Sequence, residues 1–192
     1  MHVRLAEERD LDDVTAIVNW AITCSTAHFG LTTTTTHTIV QEWRAQCDRY
    51  PWLIAEDAAG FLGFAKGGPF RGREAYDWTV ELTVYVRPDK HGRGIGRALY
   101  ARLLDMLRMQ GFGLAVALVA VPNPASESLH RRIGLHELGR MPHAGYKLNT
   151  WLDVLIFGTR LNDLADPPAP TLPVSAVMPR FTWPARTMRD QA

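Results

Sequence analysis

The chain has 192 residues, enough for one domain with a full core, and an apolar fraction of 46% against a charged fraction of 21% is that of a soluble globular protein. Its formal net charge of +1 gives no electrostatic reason to expect a nucleic-acid or membrane partner. No apolar run approaches a membrane span, the N-terminus has no signal-peptide pattern, and Cys24 and Cys47 match neither a zinc spacing nor a disulfide framework. The expected setting is a reduced cytoplasm, with no metal.

Residues 2–6 alternate as a short strand. Asp10 then offers an N-cap to a helix through Leu11, Val14, Ile17 and Val18. Residues 23–37, with the threonine run Thr32 to Thr36, read as a loop. Thr38 with Gln41 forms a capping box that opens a helix through Val40, Trp43 and Cys47. Trp52 to Glu56 and Phe61 to Lys66 read as an antiparallel strand pair, and Tyr76 to Arg87 as a long strand. Leu99, Leu103, Met106 and Leu107 make the apolar stripe of a helix ending near Gly111. Leu114 to Val121 is apolar throughout, as in a strand covered on both faces. A short helix follows from Ser126 to Ile133, then strands at about His136 to Gly139 and Tyr146 to Phe157. From Asp166 onward, half of the chain's twelve prolines fall in a segment with no helix or strand period, which reads as an extended or disordered arm. The expected division is a domain over 1–163 and a proline-rich tail over 164–192, and the element order implies a mixed α/β sheet.

The chemistry concentrates between Glu81 and Gly111, where a strand, a glycine-and-arginine loop and a helix start follow one another. In His91-Gly92-Arg93-Gly94-Ile95-Gly96-Arg97 the glycines admit close backbone approach, the helix start offers unpaired N–H groups, and the arginines add charge. That is the pattern of a phosphate site, with an ordinary glycine-rich turn as the alternative. It is not a Walker loop, because Arg97-Ala98 follows Gly96 where Lys-Ser/Thr is required. A dinucleotide fingerprint also fails, since the third glycine would have to be Arg97 or Leu99.

What fits is the polar-x-x-Gly-x-Gly loop of the GNAT superfamily of acyl-CoA N-acyltransferases, which this segment resembles. Other stretches are similar to its phosphinothricin-type branch over about residues 2–161. They include Arg49-Tyr50-Pro51-Trp52-Leu53, Tyr76-Asp77-Trp78-Thr79-Val80-Glu81, Thr83-Val84-Tyr85-Val86, Ser128-Leu129-His130 and Trp151-Leu152-Asp153-Val154. The resemblance implies a GNAT fold, that is, a mostly antiparallel mixed sheet flanked by helices, with a splayed strand pair holding acyl-CoA. It also implies transfer of acetyl from acetyl-CoA to the amino group of a small amino-acid-like molecule such as phosphinothricin or methionine sulfoximine or sulfone, and commonly a homodimer. An acceptor that is a protein N-terminus or another amine, or a non-catalytic acyl-CoA-binding module, are the alternatives. Two segments depart from the branch: Thr23 to Gly30 lacks the usual Asn-led pattern, and Leu148-Asn149-Thr150 stands where many members have a glycine-containing turn.

The resemblance assigns roles residue by residue. Glu81 matches the catalytic glutamate, needed because an ammonium has no lone pair until a base takes a proton. The backbone of Val84, Tyr85 and Val86 matches the pantetheine-binding strand, and His91 to Arg97, with Arg93 and Arg97 as charge partners or as solvated arginines, the pyrophosphate loop. Asn123 matches a cofactor-contacting position or is a turn asparagine, and Ser126 follows it. His130 stands where many members protonate the leaving thiolate, or is a half-buried helix histidine. Arg73 and Tyr76 match the loop that meets the acceptor's acidic group, with Thr83 and Tyr85 beside them.

Overall fold

The computed structural model describes residues 1–183. Seven strands form one sheet: β1 (His2–Leu5), β2 (Trp52–Asp57), β3 (Gly60–Pro69), β4 (Thr79–Val86), β5 (Leu114–Val121), β6 (His136–Lys147) and β7 (Thr150–Arg160). Their spatial order is β1-β2-β3-β4-β5-β7-β6, and only β4 and β5 run parallel. The helices are α1 (Leu11–Cys24), α2 (Thr36–Gln46), α3 (Ile95–Gln110), α4 (Pro124–Arg132) and α5 (Val174–Val177).

Two apolar layers cover the sheet. On one face α1 buries Leu11, Val14, Ile17, Val18 and Ile22, at helical spacing, against Trp52, Ile54 and Phe64. On the other face Leu99, Leu103, Met106 and Leu107 of α3 pack over Leu53, Ala65, Val80 and Leu82. Period-two alternation therefore sends Glu81, Thr83 and Tyr85 toward the α1 side and Leu82, Val84 and Val86 toward α3. Arg4 ties the first elements together, donating to both carboxylate oxygens of Asp10 at 2.6 and 2.7 Å and to Glu56 at 2.8 Å.

Several boundaries differ from the sequence reading. Asp10 does not cap α1 with its side chain; it accepts from the Glu7 N–H at 2.8 Å and holds Arg4, which a buried carboxylate needs more than a helix needs a cap. The cap of α2 is Thr35, whose hydroxyl accepts from the Thr38 N–H, so the box starting at Thr38 gives way to a helix three residues longer at its N-terminus. The long strand from Tyr76 begins only at Thr79, because Glu74–Tyr76 forms a 3-10 turn. The two late strands are one hairpin longer than their apolar cores: β6 is exposed along most of its length and carries register shifts after Glu137 and Met141. The tail is no free arm. Val174 and Val177 are buried against the α3 side, and Asp48, Trp78 and Gln110 hydrogen-bond residues 169–175. The remainder of the expected tail, 184–192, lies outside the described residues.

Leu148 and Asn149 join β6 to β7 at φ of 49° and 59°, with Lys147 opposite Thr150. A two-residue turn with both φ positive favours Asn-Gly, and a branched side chain resists it. Replacing the pair by Leu148→Asn with Asn149→Gly should raise unfolding free energy by about 1 kcal/mol in denaturant titration. An unchanged midpoint would show that the turn stores no strain.

Candidate active site

The site grows from one feature of the sheet. β4 and β5 pair only at Thr79 with Leu114, Val80 with Ala115 and Glu81 with Val116. Beyond Glu81 the strands part, although β4 stays paired to β3, and β5 to β7, through their far ends. A cavity of about 1280 Å³ opens there.

Strand register decides which backbone groups face it. The Arg87 N–H donates to the Leu62 carbonyl at 2.9 Å, so Arg87 and Leu62 are a hydrogen-bonded pair across β3 and β4. By alternation Tyr85 and Thr83 also spend their backbone groups on β3, while Val84 and Val86 turn theirs away, toward the gap. Of the three residues expected to pair with an extended ligand by main chain, Val84 and Val86 are oriented for it. Tyr85 instead enters through its ring, with its hydroxyl donating to the Ala27 carbonyl at 3.2 Å. At the mouth, His91 Nε2 donates to the Val86 carbonyl at 2.9 Å.

The glycine loop supplies the second set of open groups. Gly92 and Gly94 have φ of 76° and 78°, which L side chains resist, and Gly94 is the residue from which α3 starts. The first helical bond runs from the Ala98 N–H to the Gly94 carbonyl at 3.1 Å, which leaves the N–H groups of Ile95, Gly96 and Arg97 without acceptors inside the helix. A Cβ on Gly96 would lie 3.1 Å from Leu129, so glycine lets α4 press against this first turn. Arg93 and Arg97 are exposed beside it, with Arg93 only 3.9 Å from Asp57 as its nearest charge partner.

Glu81 lines the cavity at the point where the strands part. Burial raises its pKa above the ordinary carboxylate value, and the charges of Arg71 and Lys66 hold part of that rise back. Thr83, Tyr85, Asn123, Ser126 and His130 line the same cavity. Asn123 caps α4, its side-chain oxygen accepting from the Ser126 N–H at 3.2 Å, so that oxygen already serves the helix.

His130 argues for its packing role. It is 3% exposed and sits between the rings of Tyr100 and Phe157. Its Nδ1 lies 2.7 Å from the Ser126 carbonyl, which can only accept, so the proton is on Nδ1. Nε2 is then the acceptor for the Tyr100 hydroxyl at 3.2 Å. Burial also lowers its pKa, and a neutral imidazole with this tautomer has no proton to give at Nε2.

Arg73 and Tyr76 stand outside the cavity lining. Arg73 is exposed at the start of the 3-10 turn, and Tyr76 packs edge-on against Phe70, ring centroids 5.6 Å apart. Arg71 lies over the same Phe70 ring, and it is Arg71 whose charge acts on Glu81. Sequence reasoning passed over Lys66, Glu42, Trp52, His28 and Phe29, which all line the cavity. A lysine inside the apolar strand Gly63-Phe64-Ala65-Lys66 was the one signal available for them. Among the described residues there is no cluster of acidic, histidine or cysteine side chains that would hold a metal, and no helix long and apolar enough to cross a membrane.

A strand pair that parts over a glycine loop and a helix start defines an acyl-CoA-type transferase site. A family model described as an acetyltransferase (GNAT) domain matches residues 3–156, and the chain belongs to that family. It is 39% identical to a phosphinothricin N-acetyltransferase from Streptomyces viridochromogenes, over 92% of this chain and 96% of that one. It is 38% identical to an L-methionine sulfoximine/L-methionine sulfone acetyltransferase from Pseudomonas aeruginosa, over 86% of this chain and 98% of that one. The fold matches the crystal structure of a GNAT superfamily phosphinothricin acetyltransferase from Sinorhizobium meliloti in complex with acetyl-CoA, with a TM-score of 0.81 at 29% identity, covering 88% of this chain and 92% of that one.

Because burial raises the pKa of Glu81, the unfolded chain gives up that proton at lower pH than the native one, and stability is lost as pH rises from the unfolded value of 4.5 through the native value. Glu81→Gln should therefore melt above wild type at pH 7.5 and show no such gain at pH 4, in calorimetry across that range. Equal melting temperatures at pH 7.5 would mean that the carboxylate is not desolvated.

Proposed function

We propose that this protein transfers acetyl from acetyl-CoA directly to the amino group of a small amino-acid-like acceptor of the phosphinothricin or methionine sulfoximine and sulfone type, with Glu81 as general base. The observation that carries the proposal is the half-buried carboxylate at the apex of a cleft whose two walls offer unpaired backbone groups. The free groups of Val84 and the N–H of Val86, whose carbonyl His91 already holds, suit the amides of a pantetheine arm laid along β4, as one strand adds to another. The open N–H groups from Ile95 to Arg97, with the positive end of α3 behind them, suit a pyrophosphate, and Arg93 and Arg97 are within the same cluster. Asn123 and Ser126 border the opposite wall. Acetyl-CoA enters as substrate, and no metal is called for.

In the reaction the acceptor arrives as an ammonium and must lose a proton before its nitrogen forms a bond to the thioester carbonyl carbon. Glu81, lifted toward neutral pH by burial, is the carboxylate able to take that proton. The C–S bond then breaks and the thiolate leaves. Its proton comes by solvent rather than from His130, whose Nε2 is bare. Thr83 and Tyr85 flank the base on the acceptor side, with His28 and Phe29 across from them. Arg71, not Arg73, is the arginine of its loop with reach to this charge.

Acetyl-CoA alone should raise the melting temperature by mass action. Gly94→Val should abolish that shift, because the loop needs φ near 78° at that residue. Gly60→Val serves as the control: it meets the same backbone conflict, at φ 105°, outside the cavity lining. Loss of the shift in both variants would mean that general destabilisation is responsible, and retention in Gly94→Val would remove the loop from the cofactor site.

Turnover with an amino-acid acceptor should fall about a hundredfold or more in Glu81→Gln at neutral pH, and less as pH approaches the amine's own pKa. Full turnover at neutral pH would remove Glu81 as the base.

The same reading includes a homodimer in the reduced cytoplasm. Leu138, Tyr146, Leu148 and Trp151 support it: each is more than half exposed on the hairpin that ends the sheet. Sedimentation at micromolar concentration distinguishes dimer from monomer.

A further inference from the structure

Lys66 stands opposite Trp52 on β2 and opposite Thr83 on β4, on the face that carries Glu81. Its ammonium pairs with Glu42 of α2 and lies 4.2 Å from the centroid of the Trp52 ring. All three side chains line the cavity. Trp52 is 2% exposed, and its indole Nε1–H, itself buried, has no hydrogen-bond partner among the described residues. A buried indole N–H normally finds an acceptor, and this one has none, so the Trp52 ring serves the cavity through its face, over which the Lys66 ammonium lies. Lys66 and Glu81 are one strand spacing and two residues apart, roughly 8 Å between backbone positions.

We propose that Lys66, Trp52 and Glu42 form the subsite for the acceptor's side-chain head group, and that it takes a neutral oxygen-bearing group, sulfone or sulfoximine, in preference to an anionic phosphinate. The proposal rests on the amino-acid-acceptor reading above and adds the discrimination within it. The charges of Lys66 and Glu42 cancel, so the subsite has little net attraction for an anion. Their pairing still leaves two ammonium N–H donors for oxygens. The second oxygen of Glu42 accepts from a sulfoximine N–H, and it repels a phosphinate.

The test uses the full chain and four acceptors: L-methionine sulfone, L-methionine sulfoximine, L-phosphinothricin and L-methionine, whose bare sulfur lacks the oxygens. Wild type should favour sulfone and sulfoximine over both phosphinothricin and methionine in kcat/KM. Lys66→Met should raise KM for the sulfone about tenfold or more while kcat at saturation changes much less, so the sulfone-to-methionine preference collapses. Trp52→Phe, which weakens the cation–π hold on the Lys66 ammonium, should move the same ratio in the same direction by a few-fold. Glu42→Gln should shift preference toward phosphinothricin about tenfold. Folded variants, checked by circular dichroism, that keep the wild-type ratios overturn the subsite, as does a wild type that prefers phosphinothricin. Should Lys66→Met not fold, Trp52→Phe and Glu42→Gln decide by the same ratios. If wild type acetylates none of the four, the amino-acid reading itself falls. Calorimetry with L-methionine sulfone then decides the subsite alone: binding that Lys66→Met abolishes supports it, and absent or unaltered binding overturns it.

Discussion

The structure depends on an incomplete strand pairing. Three residues of β4 meet three of β5, and past Glu81 neither strand has the other's hydrogen bonds. Open strand edges inside a protein are costly, because each unpaired N–H and C=O loses water without gaining a partner. The chain repairs the gap at one point only, where the His91 ring bonds the Val86 carbonyl. The rest is left facing a cavity, and the unsatisfied start of α3 is brought to the same cavity. A fold that collects its unmet backbone groups in one place has in effect specified a ligand that is extended, rich in amides and ended by phosphate.

Electrostatics divides that cavity. On the α3 side the loop adds the arginines and the helix end, and no carboxylate lines this wall near the pyrophosphate position. On the α1 side the charges are few and balanced: Glu81, Lys66 and Glu42, with Arg71 at a distance that its effect on Glu81 registers. Burial and the neighbouring cations pull Glu81 in opposite directions, and burial is the larger effect.

The sequence was informative where one residue type serves one purpose. Gly92 and Gly94 announced the loop because their left-handed backbone favours glycine, Gly96 because Leu129 packs where a Cβ would sit, and the alternation of Val80, Leu82, Val84 and Val86 placed the strand that precedes it. Boundaries were lost where a side chain had a competing partner, as Asp10 had in Arg4 and Thr38 in Thr35. The tail was misread because α5 has four residues, too few for a period, and is held by backbone bonds to Asp48 and Gln110 that no local pattern announces. Lys66, Glu42 and Trp52 come from three elements, and only the register of β2 on β3 on β4 brings them together. Arg73 was chosen on the family resemblance, and in the structure Arg73 stands outside the cavity lining while the charge of Arg71 acts on Glu81.

The two segments that depart from the phosphinothricin-type pattern are linked through the end of β6. Lys147, 5% exposed at the end of β6, donates to the Ala21 carbonyl at 3.3 Å and to the His28 carbonyl. Burial lowers its pKa, so the carbonyls must do for the ammonium what water would have done. A few residues earlier Gly145 lies so close to Phe29 that a Cβ would stand 2.5 Å from the ring. The loop over 25–30 is therefore seated on the hairpin, and the hairpin's register is set by the turn at Leu148 and Asn149. A change in that turn moves Lys147, and Lys147 holds the carbonyl of His28, whose ring and that of Phe29 line the same cavity as Glu81. The unusual turn and the unusual loop are one structural variable, and their joint setting acts on the Glu81 half of the cavity while the loop at Gly92 to Gly96 is left alone.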